Sequence, residues 1–483
     1  MRPLAIALPW LALLAASCAP TPSPSVGPPA LSQGEAPAAG SLVVAGASIV
    51  DPENGVASVP HDILIEAGRI VAMVPAGTLR GAAGVPRYDG AGLFAMAGLI
   101  DVHAHVGEGG IAPGSDATRA RALRQFLRYG VTTIFVPGAT GAGDADFPAL
   151  RERCRAAVAS CPGLYGTGSL ITAPGSHPVS TIFNMPPDVP AEVTEARGVT
   201  VLRPGMDIEA LIAAKQAAGV DAIKIVIEDG PPPWYPRPRL EDAQIRALVE
   251  AAHARSLPVF AHISTSEHVR IALDAGVDGI MHGPTDRLPD ELVRRMAEQR
   301  MIYVATFALY DGILTWARGQ RESDPYALAG VEPSAIESLT APPFLAAAAE
   351  DEAGALGYLA NNSDNLRRAA AAGVPIALGT DVNNPFVFPG YSAHEELSWM
   401  VRAGLTPAQA LQAGTVGGAA FLRRPEQVGR IAPGYEADFV LLARNPLERI
   451  ENSRSIVAVF ADGKRVADVV SATPQAAGGA AGS

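Results

Sequence analysis

Gly98-Leu99-Ile100-Asp101-Val102-His103-Ala104-His105-Val106 is an apolar run interrupted by one acid and two imidazoles. In an extended strand, successive side chains alternate between faces. Asp101, His103 and His105 therefore share one side, with Asp101 one layer deeper. Seven more short apolar runs follow: VTTIFVPG (131–138), LYGTGSLI (164–171), DAIKIVI (221–227), PVFAHI (258–263), GIMHG (279–283), MIYVATF (301–307) and PIALGTDV (375–382). Helix-like segments such as ATRARALRQFLRYG (117–130) and EDAQIRALVEAAHARS (241–256) precede most of them. Repeated strand–helix units of this number predict an α/β fold, a parallel (β/α)8 TIM barrel over residues 98–420. Functional side chains are expected at the C-terminal ends of its strands.

The regions outside the barrel read differently. Residues 41–97 carry short β-runs separated by turn residues, as in LVVAGASIVD (42–51) and DILIEAGRIVAMV (62–74). Residues 421–470 repeat the style in GRIAPGYEADFVLLA (429–443) and SIVAVFADGKRV (455–466). Two β-rich ends around a long middle predict one small β-sandwich built from both. Residues 19–40, rich in Pro, Ala, Gly and Ser, read as a flexible linker, and the small-residue tail 471–483 as disordered.

At 483 residues, 48% hydrophobic and 18% charged, the chain has ample material for a large core. Its net charge of −12 comes without a basic block, which argues against nucleic acid as a partner. Arg2 and the apolar residues 3–16 form an export segment too short to span a bilayer. It ends Leu14-Ala15-Ala16-Ser17-Cys18, where small residues before a cysteine resemble a bacterial lipoprotein processing site. Cys18 would then carry lipid; ordinary secretion with cleavage near Ala19 is the alternative. Either places the protein outside the cytoplasm, in the periplasm or anchored at the outer membrane of a bacterium, with membrane contact only through that anchor. Cys154 and Cys161 stand seven positions apart. On one continuous helix that is roughly 10 Å, too far for a disulfide. Pro162 suggests that the helix ends near Cys161, so a bridge stays open but is not favoured.

The chemistry gathers on the strand ends. His262 closes the fifth run, His282 the sixth, and Asp381 the eighth, in Leu378-Gly379-Thr380-Asp381. Imidazole and carboxylate together suit zinc or a similar divalent ion. Lys224 stands in the fourth run, in Ala222-Ile223-Lys224-Ile225-Val226, where an unpaired ammonium is costly. Only three of the 37 basic residues are lysines. At 224 the chain uses the one basic residue whose pKa can fall on burial. A neutral amine can react with CO2 to give an anionic, bidentate carbamate; arginine cannot.

The ordered set His-x-His, Lys, His, His, Asp on runs one, four, five, six and eight resembles the amidohydrolase superfamily. So do Gly429-Arg430-Ile431-Ala432-Pro433-Gly434-Tyr435-Glu436-Ala437-Asp438 and Ala461-Asp462-Gly463-Lys464. Residues 276–283 and 404–411 are similar to the branch holding imidazolonepropionase-like and prolidase-like enzymes. Members with the lysine are typically binuclear. The resemblance implies that His103, His105 and Asp381 hold an inner ion and that His262 and His282 hold an outer one. Both would be divalent, zinc foremost, bridged by carboxylated Lys224 and a hydroxide. That hydroxide would attack the scissile carbonyl while Asp381 moves its proton to the leaving amine.

Other polar residues are weaker candidates. His177, in Ala173-Pro174-Gly175-Ser176-His177-Pro178, opens onto the same face and is a candidate for substrate contact. Tyr235 and Arg237 lie in the proline-stiffened loop 230–239; an arginine there could clamp a substrate carboxylate bidentately. Asp101 reads as a supporting residue, and His394-Glu395-Glu396 as structural, since acids in a first helical turn are ordinary dipole partners. The expected function is hydrolysis of a C–N amide bond in a small peptide-like or N-acyl substrate. Ring opening of a cyclic amide or lactone uses the same site. A surface lipoprotein that keeps the barrel for binding alone is disfavoured by the complete ligand set. A homo-oligomer is left open.

Overall fold

The computed structural model describes residues 40–79, 82–106, 116–138, 144, 146–157, 160–229, 236–318, 325–329, 331, 352–382, 384 and 386–470. Cys18 and Tyr235 lie outside them.

From the start of this range, the chain forms β1 (Leu42–Asp51), β2 (Val56–Glu66), β3 (Arg69–Pro75), β4 (Arg87–Asp89) and β5 (Phe94–Ala97). The central part contributes β6 (Leu99–Asp101), β7 (Val131–Val136), β8 (Gly163–Gly166), β9 (Leu170–Thr172) and β10 (Val199–Val201). It continues with β11 (Ile223–Val226), β12 (Val259–His262), β13 (Gly279–Met281), β14 (Ile302–Val304) and β15 (Ile376–Ala377). The end adds β16 (Phe439–Leu442), β17 (Ile456–Ala461) and β18 (Lys464–Arg465).

Both chain ends enter one sheet, ordered β18-β17-β16-β5-β1-β2-β3 with β4 on β1. The join is β5 against β16, antiparallel, with Ala97 opposite Phe439. Val44, Ile63, Ala95, Phe439 and Phe460 bury one apolar cluster from both ends.

The central strands are parallel, as β6-β7-β8 and as β10-β9-β11-β12-β13-β14-β15. Hydrogen bonds also link the two sheets. Val102 N–H donates to Leu378 O at 2.9 Å, Asp381 N–H to His103 O at 2.8 Å, and Asp221 N–H to Gly166 O at 2.8 Å. Mixed α/β content with these parallel sheets fits a TIM barrel. Residues of β7 and β11 are buried throughout, as strands covered on both faces must be. Phe135, Phe260, Met281 and Val304 from four different strands share one buried cluster with Phe421. That apolar floor lies under the polar ends of the same strands. The flanking helices bury one stripe each: Ile245, Leu248, Val249 and Ala252 on the helix Asp242–His253.

Two features differ from the sequence reading. The third run is not one strand. Gly168 takes φ +61 and breaks it into β8 and β9, and β10 adds a partner to β9. Cys154 and Cys161 are also joined, with Cα atoms 5.2 Å apart. The expectation against pairing assumed a helix running to Cys161. The helix stops at Ala156, and the Ala157 N–H turns back onto Arg153 O and Cys154 O. That reversal brings the two cysteines together. Among the described residues, no helix is long and apolar enough to cross a membrane.

Candidate metal centre

The parallel register decides what meets what. Val226 pairs with His262 and His262 with Met281, so the ends of β11, β12 and β13 stand level. His103, His105, Lys224, His262, His282 and Asp381 all line one pocket. These are the six side chains singled out as metal ligands from sequence. His177 lines it as well.

Asp381 is the inner hub. Its Oδ1 lies 3.3 Å from His103 Nε2 and 3.2 Å from His105 Nε2, and its Oδ2 lies 3.9 Å from His282 Nδ1. The ring orientations are set from behind. His105 Nδ1–H donates to Gly138 O at 2.8 Å, which turns Nε2 toward Asp381. His282 Nδ1 is engaged with Thr306 Oγ1 at 2.9 Å. Asp101 supports from one layer deeper. It accepts from His103 N–H and Thr380 N–H, both at 3.1 Å, and from Thr380 Oγ1–H at 2.6 Å. Gly379 is required by close approach, since a Cβ there would stand 2.8 Å from the His103 Cβ and 2.5 Å from Val304 Cγ1. His282, Thr306 and Asp381 take positive φ of 80°, 52° and 59°. Such backbone strain in non-glycine residues gathers at functional sites.

Burial holds the His103 and His282 pKa values well below the imidazole range, which keeps them as neutral ligands. Burial alone would raise Asp381. The surrounding imidazoles of His103, His105 and His282 outweigh it and hold the carboxyl well below its usual range. Burial also lowers Lys224 to about 7, against the pull of Asp381 and Glu228. Among the described residues, no carboxylate lies within ion-pair distance of Lys224 Nζ; the ammonium donates to Met281 Sδ at 2.6 Å.

A second group faces the first. His177, Glu228 and His262 each offer a ligand atom within 4.8 Å of the others, as do His103, His282 and Asp381. The His177 and His262 rings stack at 4.5 Å. Burial lowers the His177 pKa to about 4, so that ring too is neutral. Glu228 was missed from sequence. The available signal was its spacing: Lys224, Val226 and Glu228 alternate onto one face, and Ile227 N–H donates to His262 O at 2.9 Å, continuing the pairing. Donors of this kind, imidazole with carboxylate and an unpaired amine, suit divalent ions.

Of the loop pair, only Arg237 is described, and it is not among the residues lining this pocket. Its N–H donates to Asp229 O. His394 lies elsewhere, buried between Ser453 Oγ and Tyr129 O, both at 2.9 Å, in keeping with a structural role. His268 Nδ1 accepts from the N–H groups of Ser264 and Thr265 and caps its own helix.

Parallel sheets carrying imidazoles and carboxylates at their C-terminal ends form a candidate metal centre. The chain belongs to the amidohydrolase family, whose model matches residues 94–466. It is 25% identical over 418 residues to the ochratoxinase of Aspergillus niger, covering 76% of this chain and 75% of that one. It is 27% identical over 370 residues to the imidazolonepropionase of Anaeromyxobacter sp. (strain K), covering 73% and 70%. A crystal structure of a Xaa-Pro dipeptidase with methionine bound in its active site shares the fold. Its TM-score is 0.70 at 21% identity, over 88% of this chain and 99% of that one.

Proposed function

We propose that this chain is an exported, two-metal amidohydrolase that cleaves the C–N amide bond of a small peptide-like or N-acyl substrate. The observation that carries the reading is the convergence of His103, His105, Lys224, His262, His282 and Asp381 on one pocket. His103, His105 and Asp381 would hold the inner ion, and His262 and His282 the outer one. Lys224, as its carbamate, would span the two. Its burial and its lack of a carboxylate partner among the described residues support that role over a structural ion pair. Bound there, two divalent ions, zinc foremost, would polarise the scissile carbonyl and lower the pKa of water.

The protein's own groups do the rest. Asp381, kept ionised by its imidazole neighbours, accepts a proton from the attacking water and returns it to the leaving nitrogen. Leu170, Ile182, Leu309 and Tyr310 line the same pocket and suit a substrate with an apolar group beside the amide. His177 stands among them and faces the substrate space beside the outer ion. A dipeptidase-like activity agrees with the fold shared with the Xaa-Pro dipeptidase. The reading takes the central strands as a closed (β/α)8 barrel, supported by the hydrogen bonds of Val102 and Asp221 that link the two parallel sheets. It takes the sheet from both chain ends as a small sandwich. Export through residues 1–18, with lipid on Cys18, completes it.

The test is metal analysis of protein grown with and without added zinc, paired with assays on dipeptides, N-acyl amino acids and lactones. The expected result is two ions per chain and turnover of an amide. Fewer than one ion per chain in active enzyme defeats the two-metal reading. Turnover confined to lactones defeats the amide assignment.

A further inference from the structure

We propose that Glu228 is a direct ligand of the outer ion, together with His262 and His177, a donor group beyond the six side chains assigned above. The inference rests on the two-metal reading and deepens it.

The geometry is that of an incomplete coordination shell. Glu228 is 1% exposed. One of its oxygens is satisfied: Oε2 accepts from Ser264 Oγ–H at 2.6 Å and lies 2.9 Å from His262 Nε2. The other, Oε1, is buried with no hydrogen-bond partner. A buried carboxylate kept only for structure satisfies both oxygens, because an orphaned acceptor costs about 1–3 kcal/mol and more when charged. Here Oε1 points instead toward His177, whose Nδ1 is 3.5 Å away, too far to serve as its hydrogen-bond donor. Two stacked imidazoles thus flank a carboxylate whose Oε1 has no donor. A cation placed there would satisfy all three.

The elements that deliver these donors are fixed independently. β11 and β12 set Glu228 beside His262. His177 is held by its own loop: its carbonyl accepts from Thr172 Oγ1–H at 2.6 Å, and its Nδ1 lies 2.7 Å from Thr181 Oγ1. The site is therefore preorganised rather than assembled by a mobile segment.

A carboxylate beside a histidine has a second use, since ligating histidines are often oriented by a carboxylate that never touches the ion. The isosteric change Glu228→Gln separates the two roles. It keeps an acceptor for the imidazole and removes the anionic ligand. Wild-type and variant protein are stripped with chelator and reloaded with Co(II). Bound metal is counted by elemental analysis and affinity taken from calorimetric titration, with the visible Co(II) spectrum as a second readout. The expected result is two equivalents in wild type. In Glu228→Gln, the first equivalent is unchanged and the second binds at least 10-fold more weakly, with its visible bands altered. Ser264→Ala, which removes only the hydroxyl donated to Oε2, retains both equivalents. If Glu228→Gln does not fold, as judged by circular dichroism, His177→Asn is read in its place with the same expectation. A variant that binds both equivalents with wild-type affinity and spectrum overturns the proposal and leaves the two-metal reading standing. Wild type that binds a single equivalent overturns both.

Discussion

Two lysines are buried in this protein, and their surroundings could hardly differ more. Lys215, on the helix Ile208–Ala217, is 1% exposed. Its Nζ donates to both Asp144 oxygens, at 2.9 and 3.0 Å, and to Ser169 O. Lys224, on β11, is 2% exposed and donates only to a thioether among the described residues. Burial lowers the pKa of both. At Lys215, the Asp144 carboxylate opposes that shift and makes the charge a brace. At Lys224, no carboxylate among the described residues lies within ion-pair distance, and the amine faces a ring of metal-type donors. A buried cation with its counter-ion is architecture. One without is a reagent, or a ligand in waiting.

The comparison can be broken in four places. The largest effect is expected at Asp381, the anion that acts most strongly on Lys224. Asp381→Asn should lower kcat by about 10²–10⁴-fold if it carries the proton, and near-full activity with metal bound would remove that role. Next comes Lys224→Met, expected to cost more than about 100-fold in kcat/KM, beyond the usual effect of a residue that merely orients a ligand. Its thermal midpoint should stay near or above that of wild type. A variant that stays active but melts early would make Lys224 a brace like Lys215. The reciprocal change, Lys215→Met, should do the opposite. Asp144 keeps 30% side-chain exposure and can recover water, so the loss is about 2 kcal/mol of stability. Its kcat/KM should stay within about twofold, read by denaturant unfolding beside steady-state kinetics.

The smallest effect is a slope. In metal-stripped protein, burial lowers the folded Lys224 pKa to about 7, from an ordinary lysine value of 10.5. Between those limits the folded state holds fewer protons than the unfolded one, so stability should climb as pH rises from 7 toward 10.5. Lys215 shares the sign, so the diagnostic is a difference. Lys224→Met should flatten the rise in thermal midpoint across that window, and an unchanged slope would contradict an uncharged Lys224 at neutral pH.

Much of this site was legible in the chain before folding. Strand residues separated by two share a face, so His103 and His105 could be paired on spacing alone. The rarity of lysine marked Lys224. Glu228 was legible only as a residue sharing the Lys224 face; its place in the donor group depends on β12 lying beside β11 and on a loop carrying His177 across from it. The cysteine pair was misjudged for a related reason. Whether Cys154 and Cys161 meet depends on where one helix stops, and helix ends are set by local turns more than by periodicity.

The amino-acid sequence by itself determined the repeating strand–helix order, the six candidate ligands and the polar strand ends at which they stand. These follow from periodicity, which is local and survives in one dimension. Tertiary structure alone decided the rest: which oxygen of Asp381 faces which imidazole, that Lys215 has a counter-ion while Lys224 has none within ion-pair distance among the described residues, and that Glu228 keeps one oxygen unsatisfied beside two histidines. Those are relations between strands and loops far apart in the chain, and only the register of parallel pairing brings them within reach of one another.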